Sequence, residues 1–145
     1  MSERWARSIR PFRERLMIPE PTSYSKPFWE GTKRHELMIQ ECADCGERIY
    51  PPQPVCRSCL SENMKWIKSG GKGKIVTFTT IYAFGPSWTA ELLPYTIILV
   101  RLEEGIVMMS HLIDCKPEDV KCDMDVKVVF EDVTEDFTMP KFKPL

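Results

Sequence analysis

At 145 residues, with 43% hydrophobic side chains and a formal net charge of −1, the chain suits one ordinary domain or two very small ones and is apolar enough for a packed core. No apolar run nears the ~20 residues of a membrane-spanning helix; the longest, TIILV at Thr96–Val100, is strand-sized. The charge is uneven: residues 1–35 hold eight Lys/Arg against four Asp/Glu, residues 36–62 two against five, and residues 63–145 ten against twelve.

The start, MSERWARSIRPFRERL, has neither an apolar signal core nor a small-residue cleavage site, and Glu3 and Glu14 interrupt its arginines. A reducing, cytoplasmic home is therefore expected. Trp5, Ile9, Phe12 and Leu16 share a helical spacing that Pro11 breaks. The arm suits an acidic partner or a phosphate-bearing ligand, or else is a solvated basic tail. Ser25 and Pro27 then predict the start of a short helix. It carries Phe28 and Trp29, two large apolar groups that either pack on the body or meet a partner. LMIQE, residues 37–41, predicts a strand entering a first cysteine knuckle, and RIYPP leads away from it.

The Gly-Gly-Lys-Gly run after SENMKWIKS predicts a turn between strands. From Lys74 the pattern is all β. KIVTFTTIYAF alternates apolar and polar residues, and YTIILVRLEEG, IVMMSHLID and MDVKVVFEDV follow as strands, with EDFTMPKFKPL as a last extended segment. KPEDVK is a helical turn or loop. Five strands at short intervals predict a small closed barrel.

Cys42 and Cys45, then Cys56 and Cys59, form two C-x-x-C pairs ten residues apart. Each pair turns two sulfurs toward one point, and a short hairpin between them brings four thiolates around one ion, the shell that zinc takes. Gly46 permits the tight turn after Cys45. Iron fits the same four sulfurs. A thioredoxin-type redox motif would need one pair in a βαβ setting, which this pattern lacks. Four cysteines close the shell and leave no position for a reacting water, so the zinc is expected to be structural. It replaces a core in a segment of about 25 residues, too short to build one. Cys115 and Cys122 match no second knuckle. His111 sits beside Met109 and Ser110 in an expected strand and is read as structural, with nothing nearby forming a nucleophile pair with it, and the acidic pairs Glu103/Glu104, Glu118/Asp119 and Glu131/Asp132 fall at turn-like positions. No phosphate-binding loop or dinucleotide fingerprint is present, and no catalytic residue is assigned.

In order, KPFWEG, CADCG…YPPQPVCRSC, W…SGGKGKIVTFTTIY, PYTIILVRLEEG and HLIDCKPEDVKCDMDVKVVFED resemble the DUF35 family over residues ~22–145. The resemblance implies a rubredoxin-like zinc ribbon fused to an OB-fold. It divides the chain into a basic N-terminal arm with a short helix (1–35), a zinc ribbon (36–62) and a five-stranded OB-like barrel (63–145). The expected fold class is mainly β.

Such proteins are companions of thiolase-like enzymes, whose partner chain carries the catalytic groups. The resemblance thus implies a non-catalytic subunit, with acyl-CoA possible at the shared interface. Lys72, Lys74 and Arg101 are candidate phosphate contacts, or ordinary surface charges. The loop FGPSWTAELLPY carries Phe84, Trp88, Leu92, Leu93 and Tyr95, apolar groups that are costly to leave in water at about 25 cal/mol per Å². It is a candidate partner or acyl-chain contact, or a lid folded back on the barrel. Zinc ribbons and OB-folds also bind single-stranded nucleic acid, but residues 36–145 total −5, which disfavours a phosphate backbone.

Overall fold

A computed structural model of the chain describes residues 18–83 and 92–145. Helix α1 spans Lys26–Lys33. Eight strands follow: β1 (Met38–Cys42), β2 (Arg48–Ile49), β3 (Met64–Lys68), β4 (Lys72–Ile81), β5 (Tyr95–Leu102), β6 (Val107–Leu112), β7 (Asp125–Asp132) and β8 (Thr138–Pro144). One 3₁₀ turn lies at Pro117–Asp119, within KPEDVK.

α1 begins where expected, with Ser25 as its N-cap and Pro27 in the first turn. The Ser25 hydroxyl does not cap the helix. Instead it accepts the Thr22 N–H at 2.8 Å and fixes the preceding turn. Gly31 lies inside the helix because that face presses on the start of the ribbon. A Cβ there would collide with Met38 Cγ and stand 3.0 Å from the Glu36 carbonyl.

β1 pairs with β2 on one side and β3 on the other, giving a three-stranded antiparallel sheet in the order β2-β1-β3. β3, in NMKWIK, was not singled out in the sequence. Its burial shows no strict alternation, because the adjacent Trp66 and Ile67, which point to opposite faces, are both half-buried. Ser69–Gly71 then carries the chain from this sheet into β4 of a different one, so the Gly-rich run links two sheets and is not a hairpin turn. Gly71 sits at φ 69°, and a Cβ on it would strike the Val128 side chain.

The remaining strands close a five-stranded barrel in the order β4-β5-β6-β8-β7. Alternation holds best in β5, where Thr96, Ile98, Val100 and Leu102 point inward. A bulge between Ile75 and Thr77 shifts the β4/β5 register. The seam between β6 and β8 is closed by the parallel pair Leu112/Phe142 and by the Ser110 hydroxyl donating to the Pro140 carbonyl at 2.7 Å. One hydrophobic core runs through both sheets. Phe28 from α1 and Leu37 and Ile39 from the ribbon are buried in the same cluster as Ile75, Ile98, Met108 and Phe142 of the barrel.

Candidate metal centre and surrounding surfaces

The two knuckles are built alike. In the first, Cys42 N–H donates to the Glu47 carbonyl at 2.8 Å and Gly46 N–H to the Cys42 carbonyl at 2.9 Å. In the second, Cys56 N–H donates to the Ser61 carbonyl at 2.8 Å and Leu60 N–H to the Cys56 carbonyl at 3.0 Å. Gly46 (φ 77°) and Leu60 (φ 61°) occupy the same left-handed position. Glycine takes that conformation without strain and leucine does not.

The four sulfurs lie within 4.8 Å of one another. Cys42 Sγ is 3.5 Å from Cys59 Sγ, and Cys45 Sγ is 3.6 Å from Cys56 Sγ. Zinc–sulfur bonds of about 2.3 Å in a tetrahedron set the sulfurs about 3.8 Å apart, so these residues fit a zinc ion. Cys42 and Cys56 are buried, Cys45 and Cys59 exposed. Ser58 N–H points at Cys56 Sγ at 3.4 Å.

Backbone N–H groups of Cys45 and then Asp44 hold the Cys42 thiol down at about 7. The Glu47 N–H pulls Cys45 the same way, but the Cys59, Cys56 and Cys42 sulfurs and burial outweigh it and push Cys45 up to about 12. At Cys59 the Ser61 N–H also lowers the thiol, and crowding by Cys42 and Cys56 raises it overall. One thiolate forms readily. Cys45 and Cys59 need a cation in their midst, which a divalent metal supplies.

Asp44 ties the knuckles together, a role the sequence did not disclose. One of its carboxylate oxygens accepts from the Ser61 hydroxyl, and the other accepts from the Asn63 amide at 3.1 Å. Ser61 and then Asn63 hold the Asp44 carboxyl below its usual range. Asn63 also returns its carbonyl to Ala43 N–H at 2.9 Å. The signal lay in the short side chains flanking each knuckle, but it has meaning only once the knuckles face each other.

The other candidate residues fall on separate surfaces. Lys72, Lys74 and Arg101 line one cleft of about 390 Å³ on the barrel, with Glu103, Asp123 and Asp125 on its rim. Phe28 is 3% exposed and belongs to the core. Trp29 is half-buried, its ring 4.9 Å from Phe28 and 4.8 Å from Phe137. Tyr95 stacks on His111 at 5.3 Å. Leu92 and Leu93 are half-buried, and Phe84 and Trp88 lie outside the described residues. Trp29, Ile97, Met109, His111, Met139 and Pro140 line a mostly apolar cleft of about 170 Å³ along the β6/β8 seam. Met109 is 64% exposed there, and the strand pattern alone did not mark it.

Among the described residues, neither histidine is bonded to a hydroxyl or thiol. His35 contacts Asp132 at 3.1 Å, and Thr138 donates to that same carboxylate at 2.7 Å. The carboxylate therefore stands between the hydroxyl and the ring, an order that activates no nucleophile. Cys115 and Cys122 stand apart from the four-cysteine cluster. No helix among the described residues is long and apolar enough to cross a membrane.

Two family models match in tandem: the ChsH2 rubredoxin-like zinc ribbon domain over residues 29–65, and the ChsH2 C-terminal OB-fold domain over residues 66–131. A DUF35 domain-containing scaffold protein of Methanocaldococcus jannaschii is 34% identical over 110 residues, covering 74% of this chain and 77% of that protein. One of Pyrococcus furiosus is 33% identical, covering 80% and 84%. The 3-oxo-4,17-pregnadiene-20-carboxyl-CoA hydratase alpha subunit of Mycobacterium tuberculosis is 33% identical over 81% of this chain, which spans 37% of that longer protein. Among solved structures, a chain of the Ltp2-ChsH2(DUF35) aldolase superposes with a TM-score of 0.81 at 26% identity, covering 88% of this chain and 98% of that one. A DUF35 protein of unknown function from Sulfolobus solfataricus shares the fold, with a TM-score of 0.59 at 15% identity. The paired thiolate knuckles, the five-stranded barrel and these matches agree: the chain belongs to the DUF35 family of zinc-ribbon and OB-fold proteins.

Proposed function

We propose that this chain is a non-catalytic subunit that docks on a thiolase-like enzyme and supports its carbon–carbon bond chemistry on acyl-CoA. One observation carries the reading. Some 88% of the chain superposes on almost the full length of a chain of the Ltp2-ChsH2(DUF35) aldolase. Relatives described as hydratase alpha subunits point the same way, toward work in concert with a second polypeptide. The chain's own histidines and free thiols form no nucleophile–base pair among the described residues, so the reaction is assigned to the partner.

The chain's contribution is a rigid surface. Zinc fixes the ribbon, the shared core fixes the ribbon to the barrel, and the β6/β8 seam presents Met109, Met139 and Trp29. Such apolar and aromatic groups are frequent interface anchors. Tyr95, Leu92 and Leu93 are further proposed contacts for the partner or the acyl chain, and Phe84 and Trp88, outside the described residues, are proposed with them from the sequence alone. Lys72, Lys74 and Arg101 would meet phosphates if acyl-CoA lies at the shared interface. The four thiolates need a reducing compartment to stay available to metal, which supports a cytoplasmic location.

The test is co-expression with any thiolase-like protein encoded beside it, followed by size-exclusion chromatography with mass measurement. CoA-dependent cleavage is assayed on the complex and on each part. A co-eluting complex whose activity needs both chains is expected. A monomer that leaves every neighbouring thiolase-like protein unchanged would sink the reading.

A further inference from the structure

The outer face of the barrel carries a row of cations that the sequence does not reveal, because its members come from four strands. Arg101 of β5 stands opposite Lys74 of β4, and Lys72 of β4 opposite Lys127 of β7. Lys127 in turn stands opposite Lys143 of β8. The intervening pairs Gly73/Leu102 and Gly73/Val126 are buried, so these five side chains share the outward face. With neighbouring strands about 4.8 Å apart, the row crosses roughly 15 Å of sheet.

Three cross-strand neighbours in this row are like-charged, an arrangement that destabilises a sheet. Among the described residues, Lys74 has an acidic partner, Asp125 at 2.9 Å, and no ion pair is formed by Arg101, Lys72, Lys127 or Lys143. Glu103 and Asp123 line the same cleft as Lys72, Lys74 and Arg101 but form no ion pair with them among the described residues. Lysine on a strand often guards an open sheet edge. That explanation fails here, because β4, β5 and β7 are each paired on both sides.

We propose that this row, Arg101–Lys74–Lys72–Lys127–Lys143, is a docking surface for an acidic face of a protein partner. It continues past the three cations proposed above to meet acyl-CoA phosphates, on to Lys127 and Lys143, and it lacks the interleaved aromatic rings on which the bases of a single strand would stack. A basic stripe that runs from the cleft holding Lys72, Lys74 and Arg101 across to Lys127 and Lys143 matches a complementary protein surface, where charge sets encounter rate and register. The inference rests on the subunit reading for the partner's identity but not for its acidity.

Lys127→Glu is the decisive variant. It turns two like-charge pairs, with Lys72 and Lys143, into opposite-charge pairs. The variant should therefore melt higher than the parent while binding less well, a combination no misfolding effect produces. Binding to the co-expressed thiolase-like partner is measured by titration calorimetry at low and high salt. The expected result is at least tenfold weaker binding at low salt, with the difference shrinking as salt is added. Unchanged binding by Lys127→Glu overturns the inference and leaves the subunit reading standing. Should no complex form with any such partner, the subunit reading fails, and a labelled ten-residue glutamate peptide decides the inference. Binding of the peptide by the parent and its loss in Lys127→Glu support it. No binding, or tighter binding of adenosine 3′,5′-bisphosphate or a ten-nucleotide thymidine strand than of the peptide, overturns it.

Discussion

A C-x-x-C turn aims two sulfurs whatever surrounds it, but how one pair stands against the other depends on Asp44, which meets Ser61 and Asn63 across 17 and 19 residues of chain. Asp44→Ala should leave both cysteine pairs intact yet loosen their mutual placement. A loss of about tenfold in zinc affinity is expected, in line with other residues that orient metal ligands, and competition against a chromogenic chelator measures it. Leu60 offers the opposite case. It is 77% exposed and strained at φ 61° in the position that Gly46 fills without cost. Leu60→Gly should bind zinc normally and gain about 0.5 kcal/mol in urea unfolding, the relief of the left-handed strain less the added freedom of the unfolded chain. His111 carries a pH signature. Burial, and then Lys141, lower its pKa below 6.5, while Glu131 opposes them. On acidification the unfolded chain takes the proton first, so the stability present above pH 6.5 is lost as pH falls through the window down to the depressed value. His111→Gln should remove this slope, at most about 1.4 kcal/mol per pH unit. Denaturant midpoints of parent and variant across that window would show it.

At the scale of elements, strands that bury one face completely were legible and those that do not were not. β5 alternates along its length because its inner face lines the barrel. β3 hid in plain sight, since the half-buried Trp66 and Ile67 fall on opposite faces and its pairing with β1 is what makes it a strand. The Gly-rich run was recognised as a turn, but its destination was not. A turn residue signals a change of direction, and whether the chain re-enters the same sheet depends on contacts far away. Gly71 makes that distinction physical: it adopts φ 69° where the chain leaves the ribbon and packs on Val128 of β7. Gly71→Ala should cost about 2 kcal/mol or more, from left-handed strain together with the collision against Val128. Equilibrium urea unfolding is the readout, and a loss below ~0.5 kcal/mol would mean the link adjusts freely. The cation row across β5, β4, β7 and β8 belongs to this scale too, since only the register brings its members together.

For the whole molecule, the order of motifs foretold ribbon and barrel, but nothing in it foretold that they share one interior. Leu37 and Ile39 of the ribbon are buried with Ile75, Ile98 and Phe142 of the barrel, and Phe28 of the helix joins them. Stripping the metal with a strong chelator should therefore do more than loosen a small appendage. The barrel's own melting transition is expected to fall and broaden, as followed by near-ultraviolet circular dichroism of its aromatic residues. A barrel that melts unchanged without metal would show the two parts to be independent. The continuous interior has a further consequence, one of mass action. An ion that binds only the folded ribbon draws the whole chain toward its native form, and each tenfold rise in free zinc adds about 1.4 kcal/mol once the site is saturated. The population of molecules fit to meet a partner then follows free zinc, so metal scarcity would be felt by the enzyme proposed as that partner although it holds none of this zinc.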